Sequence, residues 1–134
     1  LEMLKVLALV PNVEPNIVRT GIDMILGMWE KRREQKHYLF AMGTDFKKLK
    51  APLIWFDILH TLDVLTQFPC AVADPRLQEM LVIVSKKSDT YGQFTSESVW
   101  TPWKEWDFGQ KKLPSPWLTF LALRVMRRAN YSQN

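Results

Sequence analysis

Apolar side chains recur at helical spacing in five stretches of the chain, separated by segments where prolines and polar residues collect. Leu1, Leu4, Leu7 and Ala8 mark the first stretch. Ile17, Val18, Ile22, Met24, Ile25, Leu26, Met28 and Trp29 crowd the second, and Leu77, Met80, Leu81, Val82, Ile83 and Val84 crowd the fourth. The spacing predicts helices over about 1–10, 15–34, 52–68, 75–87 and 116–129. Asp74 and Ser115 are good N-caps, and each is followed by a proline at the first helical position, where a missing N–H costs nothing. Glu14-Pro15 and Ala51-Pro52 are weaker versions of the same signal. Leu81-Val82-Ile83-Val84 is β-prone but lies inside a capped helical frame, so the predicted fold class is all-α.

The predicted helix 52–68 has the most informative pattern. On a helical wheel Ile54, Leu65, Ile58, Leu62, Trp55 and Leu59 fill one arc. The other arc mixes Asp57, His60, Thr61, Asp63 and Gln67 with Phe56, Val64 and Phe68. A plain solvent face would carry more lysine and glutamate. The mixture suits the wall of a cavity or a partner interface, and a second packing contact with a few satisfied polar groups explains it equally well. The second and fourth helices are apolar round much of their circumference and need cover on more than one side. Met24, Met28 and Met80 read as adaptable core filler.

The elements also repeat. Leu4-Lys5-Val6-Leu7 with Val10-Pro11 is echoed 58 residues later by Leu62-Asp63-Val64-Leu65 with Phe68-Pro69. Lys47-Lys48-Leu49 with Pro52 is echoed 64 residues later by Lys111-Lys112-Leu113 with Pro116. The unit is helix, long loop, helix, short turn, with a period near 60 residues, in units of about 14–73 and 74–134. The chain opens on Leu1 inside a helical pattern without a cap, which is expected of the C-terminal part of a longer protein.

Composition narrows the function classes. The 134 residues suit one domain, and 47% hydrophobic with 24% charged residues is the balance of a folded chain. No apolar run reaches the about 18 residues of a membrane-spanning helix. Cys70 is the single cysteine, so no intrachain disulfide or multi-cysteine metal site can form, and a cytoplasmic location is expected. The net charge of +4 sits in short runs: 31–33, 47–50, Lys111-Lys112 and Arg127-Arg128. Helix ends and loops account for these, no helix carries a basic face, and nucleic acid is not an expected partner. Trp100, Trp103 and Trp106 recur every third residue, with Phe108 and Trp117 close by. They read as the internal core of a long loop, or else as a stacking platform for a ring.

Asp74-Pro75-Arg76 opening a helix, the stretch from Ser88 to Phe94 through Gly92, and Trp100 resemble a worn repeat of the α/α-toroid proteins. These include squalene–hopene cyclases and protein prenyltransferase β subunits, and Phe94 stands in the position of the repeat's tryptophan. The closing stretch 106–112 and Ser115-Pro116-Trp117-Leu118-Thr119-Phe120 is similar to the end of bacterial and archaeal toroid proteins of unassigned activity. The resemblance implies antiparallel helix-pair repeats forming an arc of a toroid. It also implies an apolar cavity for an isoprenoid-like molecule, and self-association through helical faces the arc leaves uncovered. The cyclase acid motif Asp-x-Asp-Asp and the diphosphate motif Asp-Asp-x-x-Asp are both missing, so no catalytic residue is assigned. The prenyltransferase zinc is held by an aspartate, a cysteine and a histidine. Asp57, His60 and Cys70 are the corresponding ingredients here, in a different order and spacing, and a histidine paired with Asp57 or Asp63 is the preferred reading. His37, beside Tyr38, reads as a loop residue.

Two functions follow. One is a protein whose cavity takes an apolar small molecule, with Trp55, Phe56, Asp57, His60 and Thr61 facing it. The other is a helical-repeat scaffold that binds a protein partner and has no enzymatic activity.

Overall fold

The computed structural model describes residues 1–34, 41–106 and 110–130, so His37, Tyr38 and Phe108 lie outside the described residues. Six α-helices are seen among those described: α1 (Glu2–Leu7), α2 (Pro15–Glu30), α3 (Ile58–Leu65), α4 (Pro69–Val72), α5 (Pro75–Ser85) and α6 (Pro116–Arg128). The fold is therefore mostly helical. The predicted N-caps at Asp74 and Ser115 accept hydrogen bonds from the backbone N–H of Arg76 and Leu118, and Pro75 and Pro116 open their helices. Both ends were legible because a cap acts within one turn.

Helix α3 is the hub. It packs against α1, α5 and α6, while α2 packs against α1 and α5. Every residue from Ile58 to Leu65 is buried, so this helix has no solvent face. It is held to α6 by charge as well as by packing. Asp63 accepts hydrogen bonds from Arg124 at 2.7 Å and from Arg128 at 3.0 Å.

The predicted helix 52–68 is corrected at its start. Residues 52–57 are not helical, and α3 begins after Asp57. Asp57 is a better cap than Ala51, and the Ile58 N–H is drawn to the Phe46 carbonyl at 2.8 Å. The wheel that puts Ile54 and Trp55 on one apolar arc with Ile58 and Leu62 therefore does not apply, and both are exposed. Ile17 and Met24 on α2 and Val82 on α5 are also exposed, whereas Met80 is core as expected. Pro69 starts the short helix α4, which the sequence pattern had merged with a turn.

A departure from the all-α expectation lies in the loops. Lys50–Ala51 (β1) and Ser98–Val99 (β2) form a small parallel pair, Lys50 opposite Ser98 and Ala51 opposite Val99. Glu97 fastens it: its carboxylate accepts from the Leu49 N–H at 2.7 Å and from the Lys87 ammonium at 2.6 Å. Such a pairing has no local signature. Two residues per strand carry too little alternation to be read from sequence.

Gly21 sets how closely α1 approaches α2. A Cβ at that position would lie 2.8 Å from Leu4 Cδ2, and Leu4 is a fully buried anchor of α1. Gly21→Leu is therefore expected to push α1 off the core and lower stability by about 1–3 kcal/mol, read by urea denaturation. A change within 0.5 kcal/mol, roughly the scale of neutral surface substitutions, would mean that α1 is not held by this contact.

Candidate functional site

The strongest convergence of chemistry lies where α1 meets the segment leading into α3. A cleft of about 330 Å³ is lined there by Leu1, Glu2, Met3, Ile54, Phe56 and His60. Its walls are mostly apolar, and its volume falls at the low end of the range for small-molecule sites.

His60 is its polar feature. The side chain is almost completely buried, and Nδ1 lies 2.8 Å from the Trp55 carbonyl. A carbonyl only accepts, so Nδ1 carries the proton and donates, and in the neutral ring Nε2 is left as an acceptor. Nε2 is buried and has no hydrogen-bond partner. The exposed Glu2 carboxylate lies close by, its Oε1 3.8 Å from Nε2. An unpaired buried acceptor costs about 1–3 kcal/mol relative to a satisfied one.

Asp57 sits beside this site but does another job. One carboxylate oxygen accepts from the His60 backbone N–H at 2.7 Å and the other from the Lys50 N–H at 3.1 Å. It thus caps α3 and ties the β1 strand to the helix start. Burial pushes its carboxyl up to about 7, outweighing the backbone N–H groups of His60, Lys50 and Leu59 and the Lys50 charge, which pull the other way. The expected side-chain pairing of His60 with Asp57 or Asp63 is replaced. The ring is held by the Trp55 carbonyl, and Asp63 is engaged by Arg124 and Arg128.

Of the five residues predicted to face one cavity, Phe56 and His60 line the cleft. The Trp55 ring turns away and meets Trp100 edge-on at 5.9 Å. Thr61 is buried within the packed helix, its hydroxyl without a hydrogen-bond partner. Leu1, Glu2, Met3 and Ile54 were missed, because the first three belong to an element more than 50 residues away in sequence. Cys70, the third zinc candidate, is exposed on α4. Among the described residues no group of three or more His, Cys, Asp or Glu side chains is placed to hold a metal ion.

The tryptophan run forms a continuous edge. Trp55, Trp100, Trp103 and Trp106 follow one another with ring centroids 5.9, 6.5 and 5.9 Å apart. Trp100 and Trp106 remain about half exposed, at 45% and 56%, so they do not form the loop core the sequence suggested. The buried anchor of that loop is Phe94, whose N–H donates to the Thr119 hydroxyl at 2.9 Å and whose carbonyl accepts from the Ser115 N–H at 2.9 Å.

No helix of the described residues is long and apolar enough to cross a membrane. Neither a known protein family, nor a curated protein, nor a solved structure matches the chain.

Proposed function

We propose that this chain is an arc of an α/α-toroid-like, prenyltransferase- or terpene-cyclase-like repeat protein that holds an apolar, isoprenoid-like small molecule between α1 and the entry to α3. The observation that carries the reading is the apolar cleft with one buried, unpaired ring nitrogen, that of His60, at its wall. A binding site for an apolar ligand needs this composition: mostly hydrocarbon, with a single polar group to fix orientation. The order of helix contacts supports the toroid part. The contacts α1–α3 and α3–α6 give one row, α2–α5 gives a second, and α1–α2 and α3–α5 join the rows. Stacked helix pairs produce this pattern.

Ile54→Glu tests the reading. Ile54 is 62% exposed, so a charge there leaves folding within about 0.5 kcal/mol of wild type. It also places a carboxylate in the wall of the cleft. Wild type is expected to bind a short-chain isoprenoid or aliphatic probe in a calorimetric titration, and the variant to lose at least about tenfold in affinity. Equal binding by both proteins would place the ligand elsewhere or nowhere.

The alternative, a helical-repeat scaffold for a protein partner or a second copy, draws on other surfaces. Met3, Ile17 and Met24 are exposed around a cleft of about 350 Å³ between α1 and α2. Trp117, Phe120 and Leu123 are exposed along α6. In this reading they are the two ends of the stack, where a further helix pair would find an apolar face.

A further inference from the structure

We propose that the occupant of the α1–α3 cleft is an apolar molecule that ends in a hydrogen-bond donor, a hydroxyl or an amine, and not in a carboxylate or phosphate. This rests on the reading of the cleft as an apolar ligand site and specifies the polar end of that ligand.

The inference follows from which polar atoms the cleft presents. The Nδ1 proton of His60 is committed to the Trp55 carbonyl, so Nε2 presents a lone pair. The other polar side chain in the lining is Glu2, whose carboxylate accepts only. Both groups therefore call for a donor, and the lining contains no arginine or lysine side chain to receive an anion. Nε2 and Glu2 Oε1 are 3.8 Å apart, so a head group that donates to Nε2 lies beside the Glu2 carboxylate. A hydroxyl satisfies one of them with its single proton, and a primary amine satisfies both. Glu2 is exposed and can swing aside to admit the head group, while the body of the ligand packs on Leu1, Met3, Ile54 and Phe56. A diphosphate or carboxylate would face the Glu2 charge with no arginine or lysine side chain in the lining to offset it.

The test is calorimetric titration of the full chain with four probes of one chain length: decanol, decylamine, decyl methyl ether and decanoate. The alcohol and the amine are expected to bind roughly five- to tenfold tighter than the ether, as one added hydrogen bond predicts. Decanoate is expected to bind weakest. His60→Phe should bring the alcohol down to the level of the ether, and His60→Gln, which keeps an acceptor, should restore part of the difference. The ring-nitrogen NMR shift of His60 in wild type gives a reading that does not depend on variant folding. Nε2 should move on adding decanol and stay put on adding the ether. Equal binding of all four probes, as when water alone satisfies Nε2, would overturn the donor inference and leave the apolar site standing. Preference for decanoate would also overturn it, by showing that the cleft offers a donor to an anion. Failure of every probe to bind would remove the ligand-site reading itself, and the inference with it.

Discussion

Asp57→Asn is expected to flatten the dependence of stability on pH between about pH 4 and pH 7. The wild-type carboxyl moves from an ordinary value of 3.8 to about 7 because it is buried at the start of α3. Its proton is bound more tightly in the folded chain than in the unfolded one. Below pH 4 the group is protonated in both states and its stabilising contribution is fully present. As the pH rises the unfolded chain releases the proton first, and stability falls until the folded carboxyl has also ionised, near pH 7. At about 1.4 kcal/mol per pH unit, the span from 3.8 to about 7 corresponds to a loss of roughly 4 kcal/mol. Asparagine cannot ionise, and its amide oxygen can still accept from the His60 N–H, although its NH₂ opposes the Lys50 N–H. Urea denaturation of both proteins at pH 4, 5.5 and 8 measures the difference. Parallel curves would mean that the two backbone N–H groups hold Asp57 ionised throughout. Asp45 and Asp74 do not confuse the measurement. Lysine and arginine partners hold both below the usual carboxylate range, so their contributions are lost only as the pH falls below that window.

Trp29→Ala is expected to cost about 3–5 kcal/mol, a large share of the roughly 5–15 kcal/mol that holds a domain folded. Trp29 is wholly buried on α2 and joins three parts of the molecule. Its indole N–H donates to Glu79 on α5 at 2.8 Å, and its ring packs on Phe46 at 5.9 Å between centroids. The Arg32 guanidinium lies 3.8 Å above the ring and donates to the other Glu79 oxygen at 2.6 Å. Alanine removes the ring from under the loop that carries Phe46, and that loop supplies the carbonyl that receives the Ile58 N–H at the start of α3. The melting temperature should fall by roughly 10–20 °C. Trp29→Phe, which keeps an aromatic ring and loses the indole donor, should cost only about 1–2 kcal/mol. A loss below 1 kcal/mol for the alanine variant would show that α2 and α5 are joined independently of this side chain.

The two predictions separate what is local from what is not. Trp29 was legible as a core residue because it falls on the repeating apolar positions of α2, and such a pattern forces burial wherever the helix packs. Its link to Glu79 was not, since the two residues are 50 positions apart. The same holds for the candidate site. The polar and aromatic mixture around His60 marks the segment as unusual, but residues 52–57 are not helical, so helical spacing misplaces their side chains. Phe56 and His60 still share one cleft because the chain turns into the helix between them, while Trp55 contributes its carbonyl and sends its ring to Trp100.

By itself, then, the sequence determined a mostly helical chain and the places where most of its helices begin. Asp74-Pro75 and Ser115-Pro116 act through a side chain and a fixed φ within a single turn, and no distant contact has to agree. Tertiary structure decided where α3 starts, because the choice between Pro52 and Asp57 depends on Phe46 and Lys50 offering partners to the helix entry. It also decided the parallel pairing of Lys50–Ala51 with Ser98–Val99, which joins loops 48 residues apart. Above all it decided the chemistry of His60. Which ring nitrogen carries the proton follows from one carbonyl five residues back, and what the other nitrogen faces follows from a helix at the far end of the sequence.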